Sequence, residues 1–424
     1  MRTWWGALAA LVVVRVAISL AVYAAEGSSL PDVPPFVRPA ADGGLQGDAT
    51  GFYEGSREFM AAWARMPRAL LAADAAFVLA AAVAATLAWR RRAAWRPWLV
   101  PCACLAIALV LATDIHWMRA TGAAVIGWPI VWSLPMLPLR ALGSLDPAGA
   151  WDVGTALSLV FVGTTVVAVA YLGRNATRSP RLGLLAAALW ATWPLLVGVI
   201  AGHTAWMNDQ WVIDVGLHNY DEPLSTLLVT AGAAVLLAPR LTPMRLAFGG
   251  CVLSYATSVK LSNALVAGVT LAILLLRIGR RRALLYVAGV VSFAPVVLAY
   301  WPLSYPTLFA NRKAWPHDPF DVGNFGSSWT HSSIFDPHTL AIVVPLAAIG
   351  TFALKGPWET AVVLAFLLIN PLFYSFFANT AEHPRFLYAS LPEMFTLWAA
   401  AVGLLVTQER VGPVLARARH SDPG

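Results

Sequence analysis

Arg68-Ala-Leu-Leu-Ala-Ala-Asp74-Ala-Ala-Phe77-Val-Leu-Ala-Ala-Ala-Val83-Ala-Ala-Thr86-Leu-Ala-Trp89-Arg90-Arg91-Arg92 is the stretch that decides the fold. About twenty residues with a single acid among them run into three arginines. As a helix, such a run spans a hydrocarbon layer of about 30 Å, and arginines at its end stop it at the cytoplasmic boundary. The same grammar recurs along the chain. Apolar runs are read at 3–24, 68–89, 97–114, 151–172, 182–201, 223–239, 244–259, 262–277, 283–301, 338–354, 358–378 and 386–406. Over 424 residues, 59% are hydrophobic and 12% charged, about half the charge of a soluble domain. The reading is an all-α polytopic membrane protein of about 12 transmembrane helices, one domain over 1–424. The first run is kept as a helix and not as a cleaved leader, because it is long, holds Arg15, and is followed by no clear small-residue cleavage site.

The charges orient it. Arg90, Arg91, Arg92 and Arg96 fall at one turn, Arg174, Arg178 and Arg181 at another, then Arg240 and Arg245, then Arg277, Arg280, Arg281 and Arg282, then Lys355 and the tail arginines Arg410, Arg417 and Arg419. Alternate turns are therefore basic, which predicts cytoplasmic termini in a plasma membrane. The net charge of +7 thus reports orientation and contact with membrane lipids, and no nucleic-acid partner is expected. Seven of the eight histidines and most acids lie in or at the edge of the opposite turns. Those outer segments are 25–67, 202–222, 302–337 and 379–385. Residues 121–146, with Pro129, Pro135 and Pro138, read as an interfacial or re-entrant piece. Long loops of this kind carry function more often than short connectors do.

There is no Gly-rich phosphate loop, no dinucleotide fingerprint, no H-E-x-x-H and no G-x-S-x-G, so no nucleotide domain is expected. The three cysteines lie in apolar runs without metal spacing. Asp209, Asp214, His203 and His218 leave a divalent cation open, but their spacing supports none, and the cofactor stays unknown.

The first outer loop contains Gly47-Asp48-Ala-Thr50-Gly-Phe52-Tyr53. Over 51–66, Phe52, Phe59, Met60, Trp63 and Met66 share one helical face, with Glu54, Arg57, Glu58 and Arg65 elsewhere. This predicts an amphipathic helix lying in the interface, with Asp48 or Thr50 as its cap. Asp48 either caps that helix or serves as a general base at the water–lipid boundary, with Tyr53 and Arg57 one and two turns on. The second loop ends in Tyr220-Asp221-Glu222-Pro223, which suits a helix start or contacts to a hydroxyl-rich ligand. The third loop holds the basic pair Arg312 and Lys313, and the last turn holds His383 and Arg385, whose planar cation suits phosphate oxygens. Arg15 sits within the first run, where an unpaired charge costs about 2.5–3.5 kcal/mol. Asp74 is its expected partner. Lys260, at a turn between runs, is expected to face lipid headgroups.

These segments together resemble the GT-C superfamily of polytopic glycosyltransferases. The resemblance rests on Gly47-Asp48-Ala-Thr-Gly-Phe52-Tyr53 with the helix after it, on Tyr220-Asp-Glu222-Pro223-Leu-Ser225, and on His383-Pro-Arg385-Phe386-Leu-Tyr388-Ala-Ser-Leu-Pro392. The last is similar to a run in mannosyltransferases of that group. The resemblance implies a polyprenyl-phosphate-linked sugar donor and transfer on the extracytoplasmic face. It also implies Asp48 as base, substrate contacts from Tyr53, Arg57, Tyr220, Asp221, Glu222, Arg312, Lys313, His383 and Arg385, and a glycan, lipid or protein acceptor. The competing reading is a polytopic transporter or lipid flippase, which calls for repeated halves and a midplane site. No repeat is evident in the sequence.

Overall fold

In the computed structural model the described residues are 2–29, 48–91, 93–141, 147–200, 221–305, 321–326, 337–376 and 388–420. Among them every regular element is a helix. In chain order these are α1 (Arg2–Ser29), α2 (Asp48–Arg65), α3 (Arg68–Arg91), α4 (Arg96–His116), α5 (Gly127–Ala141), α6 (Pro147–Thr177), α7 (Pro180–Ile200) and α8 (Glu222–Leu236). They continue as α9 (Pro243–Val259), α10 (Asn263–Ile278), α11 (Arg280–Val290), α12 (Ala294–Tyr305), α13 (Pro337–Ala353), α14 (Pro357–Tyr374) and α15 (Leu391–His420).

Six of the described segments are long and apolar enough to cross a membrane: Thr3–Ala21, Arg68–Arg90, Arg96–His116, Gly149–Thr177, Pro357–Tyr374 and Tyr388–Val406. The pair α11–α12 makes a seventh if its 46° bend is crossed as one span. Fewer segments than the expected twelve meet this measure. The apolar helices Glu222–Leu236 and Asn263–Ile278 are shorter, at about 22–24 Å by helical rise. The bend of α11–α12 keeps its backbone satisfied, as a break in hydrocarbon must. The Ser292 hydroxyl donates to Gly289 O at 2.6 Å, and Phe293 N–H donates to Ser254 Oγ on α9 at 3.0 Å.

The helix ends sort into two groups. At the end rich in arginine, the Trp4 indole donates to Pro180 O at 3.3 Å, and Lys355 N–H donates to Ala176 O at 3.1 Å. There Arg178 pairs with Glu359 at 2.6 Å, and Arg277 lies 4.2 Å from the centre of the Trp358 ring. The opposite end gathers α2, the 117–126 connection and the turn at Lys260. The Thr121 and Tyr300 hydroxyls meet there at 3.2 Å, and the Tyr255 hydroxyl donates to Gly127 O at 2.9 Å. Residues 321–326 join this end through Asp321 N–H and the Asn324 amide, both donating to Phe376 O.

Two expectations gain detail here and a third is overturned. Within the expected interfacial or re-entrant piece, Trp128 and Trp132 are fully buried, and α5 packs against α2, α6 and α9. The apolar face of α2 meets α5 and α4 as well, so protein and not only lipid covers it. Arg15 does not pair with Asp74. α1 packs on α6 and α7, where Arg15 donates to the Tyr388 hydroxyl, whereas α3 packs on α4 and sets Asp74 within electrostatic range of Asp114.

Without a hydrophobic drive between helices in lipid, close backbone approach supplies much of the cohesion. A Cβ on Gly250 of α9 would lie 2.3 Å from Tyr286 O of α11, and one on Gly289 would lie 2.4 Å from Ala247 O. Gly268 has nothing within 4 Å of that position. Gly250→Ala is therefore expected to lower the thermal midpoint and the monodisperse yield in detergent, with Gly268→Ala close to the parent. Equal midpoints for the two variants would contradict this packing.

Candidate functional site

The sequence of α2 builds a helix with two different sides. Phe52, Phe59, Met60, Ala62 and Met66 are buried, while Glu54 and Arg57 are exposed. Close contact with the 117–126 connection is possible because Gly51 has no side chain. A Cβ there would sit 2.6 Å from the backbone carbonyl of Gly122. Glu58 locks the same connection in place. Its carboxylate accepts the Arg65 guanidinium and the Arg119 N–H, the latter at 2.7 Å. Arg65 also donates to Trp117 O at 3.0 Å.

Between α2, residues 120–121, the end of α5 and Ala150 lies a cleft of about 500 Å³. Its polar lining is Tyr53, Glu54, Arg57, Glu58, Thr121 and Arg140, over apolar Met60 and Met136. Arg57 lies 5.6 Å from the centre of the Tyr53 ring, which itself sits 5.9 Å from Trp132. Trp132 is fixed by donation to Ala150 O at 2.9 Å. The cleft thus offers two guanidiniums, two carboxylates and an aromatic wall, an arrangement able to hold anionic and hydroxyl groups side by side. Glu58 is spent on the 117–119 connection, so Glu54 is the carboxylate of the cleft with room for a ligand.

Of the sequence-derived site residues, Tyr53 and Arg57 come together in this cleft. The α2 backbone is already helical at Asp48, so Thr50 lies within the first turn and does not cap it. Tyr220, Arg312, Lys313, His383 and Arg385 lie outside the described residues, as do His203, Asp209, Asp214 and His218. Among the described residues no three His, Cys, Asp or Glu side chains gather as metal ligands. Glu54, Glu58 and Arg140 were missed as site residues. The signal for Glu54 and Glu58 was their i, i+4 spacing beside Tyr53 and Arg57; Arg140 had none.

Asp221 and Glu222 do not line the cleft. Pro223 follows them in the first turn of α8, as the sequence suggested. Glu222 is fully buried and accepts the Lys260 ammonium at 3.0 Å, so Lys260 faces a carboxylate inside the bundle and not lipid headgroups. The Lys260 nitrogen also lies 5.3 Å from the centre of the Tyr374 ring, whose hydroxyl is 3.4 Å from Ser262 Oγ. Next in chain, the Asn263 amide donates to Ser225 Oγ at 2.8 Å. A three-residue turn between α9 and α10 is thereby bound to the head of α8 and the end of α14.

No family model matches the chain, and no curated protein matches it.

Removing one partner of a buried ion pair strands the other, at a cost of about 3–5 kcal/mol. Lys260→Met is therefore expected to lower the denaturant midpoint in detergent sharply. Lys260→Met combined with Glu222→Gln should recover part of the loss, because no lone carboxylate remains. A single variant as stable as the parent would remove the pair from the account of the fold.

Proposed function

We propose that the chain is an integral-membrane glycosyltransferase of GT-C type. It crosses the plasma membrane twelve times, with both termini cytoplasmic and the α2 cleft extracytoplasmic. The observation that carries the reading is the cleft itself: it is set on a helix that follows the first crossing, at the end away from the arginine-rich turns. A donor whose sugar is linked through phosphate to a polyprenol keeps its tail in the bilayer, so no nucleotide domain is needed. The acceptor, a glycan, lipid or protein hydroxyl, approaches from water.

In this reading the acceptor oxygen forms a bond to the anomeric carbon as the bond from that carbon to the phosphate oxygen breaks. The configuration inverts in a single displacement. The acceptor proton passes to a carboxylate, with Asp48 as the base. Polyprenyl phosphate leaves with the electron pair, and its growing charge is met by guanidinium donors. Arg57 and Arg140 in the cleft, and Arg312, Lys313 and Arg385 in the outer segments, are the candidate donors; His383 and Tyr220 complete the substrate contacts, while Asp221 and Glu222, buried away from the cleft, serve the fold. Glu54 is the second candidate base, since it stands in the cleft beside Arg57. The transporter or flippase reading draws on the buried Glu222–Lys260 pair, a charge pair of the kind that marks pathways through membranes.

Purified protein supplied with polyprenyl-phosphate sugars and membrane acceptors is expected to transfer sugar. Asp48→Asn should lower turnover by about 10²–10⁴-fold at unchanged expression, the usual weight of a general base. Arg57→Ala should raise KM more than it lowers kcat. If Asp48→Asn turns over normally while Glu54→Gln does not, the base is Glu54. Absence of transfer from every such donor, together with movement of a lipid or solute across vesicles, would replace the enzyme with a carrier.

A further inference from the structure

Arg15 belongs to neither cluster described above. It lies within the apolar run Thr3–Ala21, about 20 Å of helical rise from the start of α1, and is 2% exposed. Its Nη2 donates to the Tyr388 hydroxyl at 3.2 Å. Its guanidinium carbon lies 5.2 Å from the centre of the Trp190 ring, and Trp190 meets Tyr388 edge-on at 5.2 Å. An aromatic corner therefore holds the cation without supplying negative charge. Both Nε and Nη1 are buried and have no hydrogen-bond partner among the described residues. Arginine cannot discard its charge by losing a proton, and a hydrocarbon interior cannot solvate it.

The chemistry that complements this group is an anion with several acceptor oxygens. The unused donors lie on both edges of the guanidinium, one through Nε and one through Nη1. A carboxylate matches one edge, whereas the tetrahedral oxygens of a phosphate reach further around the fork. Depth decides the carrier: a free anion resists entry to an apolar medium, while a phosphate on a lipid chain brings its own apolar anchor. Tyr388 opens the segment leading into α15, directly after residues 377–387. The corner is thus built from α1, α7 and the short segment just before α15, far apart in sequence.

We infer that Arg15, backed by Trp190 and Tyr388, binds the phosphate of a lipid within the helix bundle. The inference does not depend on sugar transfer. A polyprenyl phosphate and a diacyl phosphate both present this chemistry, and inorganic phosphate shares it without the tail.

The test is a binding titration of the purified full-length chain in neutral detergent, read by native mass spectrometry. The probes are farnesyl phosphate, phosphatidic acid, inorganic phosphate and farnesol. At least one of the two lipid phosphates is expected to bind, and Arg15→Gln to weaken it by about tenfold or more, as loss of a charge-assisted contact does. Tyr388→Phe should weaken it by less. Farnesol and inorganic phosphate should not bind measurably. Unchanged affinity in folded Arg15→Gln, or equal binding of farnesol, would overturn the site, and equal binding of inorganic phosphate would overturn its lipid character. Should Arg15→Gln fail to fold, the parent labelled with ¹⁵N-arginine answers instead. One guanidinium resonance should move with the lipid phosphate and not with farnesol; no moving resonance would overturn the proposal. Sugar transfer with an inert Arg15 would sink this inference alone, and lipid-phosphate binding without transfer would sink the transferase reading alone.

Discussion

A charge that cannot be hydrated must be moved to an edge or given a partner, and this constraint orders the whole molecule. Most arginines stand at one end of the bundle, where Arg178 finds Glu359 and Arg277 stacks on Trp358. Of the charged groups left in the interior, two basic ones fasten helices together. Lys260 and Glu222 bind the α9–α10 turn to the head of α8. Arg15 leans on Trp190 and Tyr388 and brings α1, α7 and the segment before α15 to one point. These are attachments between parts of the chain far apart in sequence, made where apolar packing alone discriminates poorly between helix faces.

The same constraint explains why a polar cleft forms at the other end. The amphipathic sequence of α2 buries one side on α5 and leaves Glu54 and Arg57 toward water. Gly51 against Gly122, and Glu58 with Arg65 and Arg119, hold that helix down. The cleft is therefore a by-product of fastening a surface helix to a membrane bundle. Its lining of mixed charge beside an aromatic wall makes it suitable for a sugar carried on a phosphate.

Helix class and the basic end were legible because they depend on composition and on local runs, which the sequence displays directly. The amphipathic α2 was legible for the same reason: its period is written in Phe52, Phe59, Met60 and Met66. What could not be read was which helices touch. Arg15 and Asp74 lie at similar depths, and depth made them look like partners, but the lateral arrangement sets α1 against α7 and α3 against α4. Lys260 looked exposed to headgroups because it lies at a turn; only the approach of α8 brings Glu222 to it. Arg140 likewise enters the cleft through the position of α5 and not through any local pattern.

The claim on which the functional account rests is that the α2 cleft opens on the face opposite the arginine-rich turns, toward the outside of the cell. Single-cysteine labelling tests it most directly, in a background freed of Cys102, Cys104 and Cys251, with a membrane-impermeant maleimide on intact cells. The account expects Arg57→Cys to label in intact cells and Arg281→Cys to label only after permeabilisation. The reverse pattern would put the cleft in the cytoplasm and contradict it.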